Sequence, residues 1–276
     1  MMEQTKLRKP IAAGQFYPSD AKNLKGVISD FSDKDKVLQK KEVIGAILPH
    51  AGYVYSGQVA VATVSGIDIK DNVVMLGPNH TGLGLTFSVM PNGVWQTPFG
   101  NVKINQEIVK LFLNKSQYLV ADAAAHQDEH SLEVELPILQ YFKRNFKIIP
   151  IAIKTFNLSL LKGLAIELAD VINTQHLKSS TIFIASSDMT HYESEEVARK
   201  KDAQAIEAIV ALDEDRLEKI VKALDVSMCG FAPIAVLIKT AKLLGAKGAE
   251  LIKYQTSGQT SGDLSSVVGY AGITIY

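Results

Sequence analysis

Short apolar runs that stop at a polar loop punctuate this chain, and they constrain its fold more than any other feature. Residues 72–82 are the clearest case. Val73 to Leu76 is apolar and opens with two β-branched residues; Gly77 and Pro78 follow, and then Asn79, His80 and Thr81. Such a run reads as a buried strand entering a loop, with Gly77-Pro78 as the stop. The pattern recurs. Residues 43–48 end at Pro49 and lead to His50; residues 181–185 lead to Ser186-Ser187-Asp188-Met189-Thr190-His191; residues 147–153 form a further strand. Segments of helical spacing lie between these runs. Strands alternating with helices predict an α/β chain in three layers, a mixed, mostly parallel sheet covered by helices on both faces.

The helix signals are specific. Ser19 or Asp20 caps a helix over 21–31, Asn105 caps one over 106–113, and Asn157 or Ser159 opens one ending near Thr174. Residues 55–64, 194–209, 213–223 and 229–244 also read as helices, the last with Pro233 in its first turn. Residues 131–142 read as a helix that Pro137 kinks or bounds. Short antiparallel pieces are expected at 86–89 and 93–97 around a Pro91-Asn92-Gly93 turn, with further strands at 102–104, 250–255 and 267–276. Residues 34–41 and 121–129 read as loops. No repeat or linker divides the sequence, so one domain over 1–276 is expected.

Composition removes several function classes. Apolar residues make up 47% of 276, enough for a full core. Lys+Arg and Asp+Glu both number 29, so nothing points to a nucleic-acid or anionic-membrane surface. Cys229 stands alone, which rules out an intrachain disulfide. The polar first ten residues lack the core of a signal peptide, and no apolar run approaches the roughly 18 residues of a membrane span. A cytoplasmic protein is expected, and the Asn-x-Ser/Thr triplets at Asn79, Asn114 and Asn157 read as chance matches.

His50, His80, Asp188 and His191 each fall just past an expected strand. If those strands are parallel neighbours, the side chains converge at one sheet edge, where α/β folds assemble ligand and catalytic sites. Asp188, three residues before His191, either orients that imidazole or caps the helix that follows. His126, Asp128, Glu129 and His130 form a dense polar run. Its acidic residues, with Glu133 and Glu135, read either as the first turn of a helix or as functional groups, and His130 is the better acid/base candidate. Cys229 precedes a helix, where the dipole favours a thiolate; it is a metal ligand, a nucleophile or a buried small hydrophobe. Two His and one Cys suit zinc, copper or ferrous iron and leave an open coordination position. No Gly-x-Ser-x-Gly elbow, Walker A or complete Gly-x-Gly-x-x-Gly is present, so a serine hydrolase or a nucleotide-binding protein lacks support.

Longer motifs add a resemblance. Ala13-Gly14-Gln15-Phe16-Tyr17-Pro18 is followed by Pro49-His50-Ala51-Gly52-Tyr53-Val54-Tyr55-Ser56-Gly57, Gly77-Pro78-Asn79-His80 and Thr97-Pro98-Phe99-Gly100. Glu129-His130-Ser131-Leu132-Glu133, Ser187-Asp188-Met189-Thr190-His191, Cys229-Gly230 and Ser265-Ser266-Val267-Val268-Gly269-Tyr270 complete the series. In content and order these resemble the Memo-like protein family, itself similar to class III extradiol dioxygenases of the LigB type. The resemblance implies a LigB-type dioxygenase-like fold and one metal ion, iron or copper in preference to zinc. It implies His50, His80 and Cys229 as metal ligands, with Cys229 where those dioxygenases carry an acidic ligand. His130, Asp188 and His191 would be the catalytic groups, and Tyr55 and Asn79 substrate contacts. Either a redox-active oxidoreductase or a non-catalytic module for a small molecule or a phosphopeptide follows. Radical-SAM and Ammecr-type protein partners are implied, and no nucleic-acid or membrane partner.

Overall fold

The computed structural model describes residues 6–32 and 40–276. The charged loop expected over 34–41 therefore lies outside the described residues except at its last two positions. In chain order the elements are β1 (Leu7–Arg8), α1 (Ala21–Phe31), β2 (Gly45–Leu48), α2 (Tyr53–Ser65), β3 (Asn72–Pro78), β4 (Phe87–Val89), β5 (Val94–Thr97) and β6 (Gly100–Ile104). Then come α3 (Gln106–Lys115), β7 (Val120–Ala121), α4 (Ala124–Gln127), α5 (Glu135–Phe142), β8 (Lys147–Ile153), α6 (Leu158–Thr174), β9 (Thr181–Ser186) and β10 (His191–Glu193). The chain closes with α7 (Glu195–Val210), α8 (Glu214–Leu224), α9 (Phe231–Leu243), β11 (Ala249–Thr256), α10 (Gly258–Ser261) and β12 (Val267–Ile275). The expected caps hold at Asp20, Asn105 and Asn157, each of which accepts a backbone N–H of the first turn it precedes, and Asp213, read as the first residue of a helix, caps that helix in the same way.

The strands form one mixed sheet in the order β1-β5-β6-β8-β3-β9-β2-β12-β10, with β11 on β12 and β4 on β8. From β6 to β2 neighbouring strands are parallel, and β12 is antiparallel to β2, β10 and β11. Helices cover both faces. On one side α2 packs against α1 and α5; on the other α6 packs against α3 and α9, and α9 against α8. Two close approaches on β12 show the layering: a side chain at Gly272 would strike Thr63 of α2, and one at Gly269 would strike Asp202 of α7. Residues buried on both faces, such as all of β9, explain why these strands read as continuous apolar runs.

Register sets the site. Leu48 pairs with Ser186 and Leu76 with Ala185, so β2 and β9 end side by side and β3 passes the same level beside them. The stop expected at Gly77-Pro78 does not occur there. Gly77 and Pro78 pair with Ala152 and Ile153, so β3 outruns β9. The Asn79 N–H donates to the Ile153 carbonyl, which turns the Pro78 nitrogen toward the side where β9 has already ended. Its missing N–H therefore leaves no ladder bond unmade. Other expectations shift as well. β4 and β5 do not pair with each other; β4 lies on β8 and β5 on β6, so Pro91-Asn92-Gly93 hands the chain from one pairing to another. α5 begins only at Glu135, which places Pro137 in the first turn, where its absent N–H costs nothing.

Candidate metal centre

Two residues past β2, His50 is buried at 3% exposure. Its Nδ1 lies 2.8 Å from Ser186 Oγ at the end of β9, and its Nε2 lies 3.3 Å from Cys229 Sγ. Cys229 stands ahead of α9, and Gly230 after it has no room for a side chain, because Ser187 and the Ser186 carbonyl fill that space. This close approach brings the thiol down onto the sheet edge. The Asp188 N–H donates to the same sulfur at 3.3 Å.

His80 follows β3 and is held from one side. Its backbone N–H donates to Glu129 Oε2 at 2.6 Å, and its Nδ1 lies 2.9 Å from Glu129 Oε1. Burial works to raise the Glu129 carboxyl, yet the bond and charge of His80 and the N–H groups of Ser131 and His80 draw it down to about 2. An ionised carboxylate only accepts, so His80 donates through Nδ1 and turns its Nε2 the other way. His130 stacks on His80 with centroids 4.8 Å apart, meets His50 edge-on at 5.6 Å, and is backed by Phe16 at 4.8 Å.

Among the described residues, two groups have donor atoms mutually within 4.8 Å: His50 with His80 and Cys229, and His80 with Glu129 and His130. The first set has donor types and spacing that fit a metal ion. In the second, Glu129 already serves as the acceptor behind His80. For His50, His130 and His191 the neutral form, which keeps a lone pair to offer, is favoured. Burial holds His50 well below its ordinary range, with the neighbouring His80 and His130 adding to the effect, and burial likewise lowers His130 and His191. The thiol departs from expectation. Burial, and then the charge of Asp188, push Cys229 up rather than down, because the helix start is too desolvated to favour an unpaired thiolate.

The structure revises several assigned roles. Asp188 does not orient His191: its Oδ1 accepts the His50 and Ala51 backbone N–H groups at 2.9 and 3.3 Å. Nor does it cap a helix, since α7 opens later, after Ser194. Burial raises its carboxyl to about 7, against the pull of those two N–H groups. Ser227 orients His191 instead, through its carbonyl 3.0 Å from Nδ1 and its Oγ 2.8 Å from the backbone nitrogen. Asn79 shapes its own loop, receiving the Gly82 N–H and donating to the Leu83 carbonyl. Tyr55 is exposed in the first turn of α2. His126 is fully buried against the Ser88 carbonyl, away from the cluster of donors.

Sequence reasoning missed Glu129 and Glu135 as individual groups. Glu129, Glu133 and Glu135 are all buried, and of these only Glu135 lies in the first turn of a helix, as the helix-start reading expects. Glu133 pairs with Arg8 at 2.6 Å and accepts from Ala12 and Tyr17. The one signal available was the adjacency of Glu129 to His130.

Fold and site together define an α/β protein with a cluster of metal-ligand types at the carboxyl edge of its parallel strands. The fold is shared with the crystal structure of an uncharacterized protein from Escherichia coli K12, at a TM-score of 0.56 and 10% identity over 84% of this chain and 99% of that one. The sequence pattern of the Memo-like protein family matches residues 8–274. A MEMO1 family protein of Methanopyrus kandleri is 40% identical over 96% of this chain and 98% of its own length. One from Saccharolobus solfataricus is 41% identical over 95% and 97%. The chain belongs to the Memo-like protein family.

Proposed function

We propose that this protein is a redox-active oxidoreductase that holds one iron or copper ion on His50, His80 and Cys229. The observation that carries the reading is the convergence of three donor atoms from separate segments to within 4.8 Å of one another. Both histidines have their Nδ1 atoms engaged behind them, by Ser186 and by Glu129, as metal-ligating imidazoles do. Three protein ligands leave a position for substrate, and a bound iron or copper ion would supply the redox chemistry. Around it, His130 and His191 orient substrate and carry protons, and Asp188 exchanges a proton near neutrality. Metal analysis of the purified chain beside His50→Ala and His80→Ala tests the reading. About one equivalent in the wild type and near none in the variants is expected; equal, substoichiometric metal in all three would sink it.

Cys229, standing where the resemblance to LigB-type dioxygenases places an acidic ligand, favours a second reading, a preformed pocket that binds a ligand without metal. Its occupant on this reading is a small molecule or a phosphopeptide. Ligand binding that survives chelation is expected on this reading, and its abolition by chelation excludes it. Among the described residues no helix is long and apolar enough to cross a membrane, and work in the cytoplasm is part of this proposal. Association with radical-SAM and Ammecr-type proteins is part of the same proposal; copurification of neither would count against it.

A further inference from the structure

The two histidines are backed unequally. Behind His80 stands the ionised Glu129 in direct contact. Behind His50 the contact passes through a hydroxyl: Ser186 Oγ is 2.8 Å from His50 Nδ1, 2.9 Å from the Ser131 carbonyl and 2.9 Å from Glu135 Oε1. Glu135 is 0% exposed, and among the described residues its Oε2 has no hydrogen-bond partner. The groups that face it are Ser186 from β9, Asp188 from the loop beyond β9 and Tyr53 from α2, and none of these is a cation. Arg8, which pairs with Glu133 in the same acidic run, is committed there. A buried carboxylate without a cation is strongly disfavoured. Burial, opposed by the Ser186 bond and reinforced by Asp188, accordingly keeps Glu135 protonated well above the ordinary carboxyl range.

A half-satisfied, uncompensated carboxyl is a poor structural element. It makes sense as one end of a relay whose other end receives positive charge. We propose that Glu135 acts through Ser186 as the positioning residue of His50, and that it releases a proton when a cation arrives at His50 Nε2. In the loaded protein His50 Nδ1–H donates to Ser186 Oγ, and Ser186 O–H donates to the Glu135 carboxylate. The negative charge at the far end then balances part of the charge brought by the ion. Two protons leave for solvent per ion bound, one from the Cys229 thiol and one from the Glu135 carboxyl, and no electron moves.

This inference rests on the metal reading above, and calorimetric titration of the full chain with Zn²⁺ separates the two. Zn²⁺ suits a His/His/Cys set and is redox-inert. Titration at pH 8, above the range in which Asp188 changes charge, in buffers of different ionisation enthalpy counts the protons released. The wild type is expected to release one more proton per Zn²⁺ than Glu135→Gln, which keeps an acceptor for Ser186. Ser186→Ala, which cuts the relay, is expected to bind Zn²⁺ about 10-fold or more weakly. Equal proton counts in wild type and Glu135→Gln, or Ser186→Ala binding as tightly as wild type, would overturn the relay and leave the metal site standing. A wild type that takes up no Zn²⁺ would overturn both. Should Ser186→Ala not fold, the proton count of Glu135→Gln decides.

Discussion

Arg8→Met tests the buried pair that joins the start of the chain to the acidic run beside the site. The Arg8 guanidinium donates to Glu133 Oε2 at 2.6 Å and to the His126 and Glu129 carbonyls at 2.7 Å each, and it lies 4.1 Å over the Trp95 ring. Methionine fills much of the same volume, so the substitution removes charge and hydrogen bonds more than packing. Breaking a buried pair from one side typically costs roughly 3–5 kcal/mol, because the remaining charge is stranded. Glu133 would keep its bonds from Ala12 and Tyr17, so a value of about 4 kcal/mol is reasonable by that rule. In a chain of 276 residues each kcal/mol lowers the melting temperature by roughly 2–4 °C, so a fall on the order of 10 °C is expected. Urea unfolding followed by circular dichroism gives the free energy directly. Adding Glu133→Gln removes the stranded charge and should recover roughly half of the loss. An Arg8→Met chain within about 1 kcal/mol of wild type would refute the reasoning, as would a double variant as unstable as the sum of its parts.

Three further outcomes follow from the same geometry. Glu129→Gln should weaken Zn²⁺ binding by roughly 10–100-fold, because the charged acceptor behind His80 is lost; unchanged affinity by titration would remove Glu129 from the site. Asp188 has its carboxyl raised from 3.8 to about 7, so its contribution to stability is complete below about pH 4 and is lost as pH rises through about 7. That loss is on the order of 4 kcal/mol in total. In chelated protein, Asp188→Asn should therefore gain on wild type steadily from pH 4 to pH 8, and a difference that does not vary with pH would reject the shift. Gly230→Ala drives a methyl group into Ser187 and the Ser186 carbonyl. It should destabilise the chain by roughly 1–3 kcal/mol and weaken Zn²⁺ binding by moving Cys229; wild-type values for both would show that the loop yields freely.

Much of the fold is written in short stretches of sequence. Caps at Asp20, Asn105, Asn157 and Asp213 depend on a side chain and the N–H groups two or three residues ahead, so they are visible locally. The buried strands were visible for the same reason, as apolar β-branched runs. Strand partners were not: nothing in 86–97 distinguishes β4 pairing with β8 from β4 pairing with β5, because both satisfy the same alternation. The Pro78 stop failed on the same ground, since whether a strand tolerates proline depends on which neighbour is still present.

The candidate site divides in the same way. The sequence by itself determined that His50, His80, Asp188 and His191 stand just beyond strands, and that Cys229 stands before a helix. Only the tertiary structure decided what each one touches. Placing β9 between β2 and β3 brings Ser186 behind His50, and folding 129–135 across the edge brings Glu129 behind His80 and Glu135 behind Ser186. A carboxylate reads the same in sequence whether it meets solvent, an imidazole or a serine. Its role is set by burial and by which donor lies within about 3 Å, and those are properties of packing between segments more than a hundred residues apart, as between His50 and Ser186.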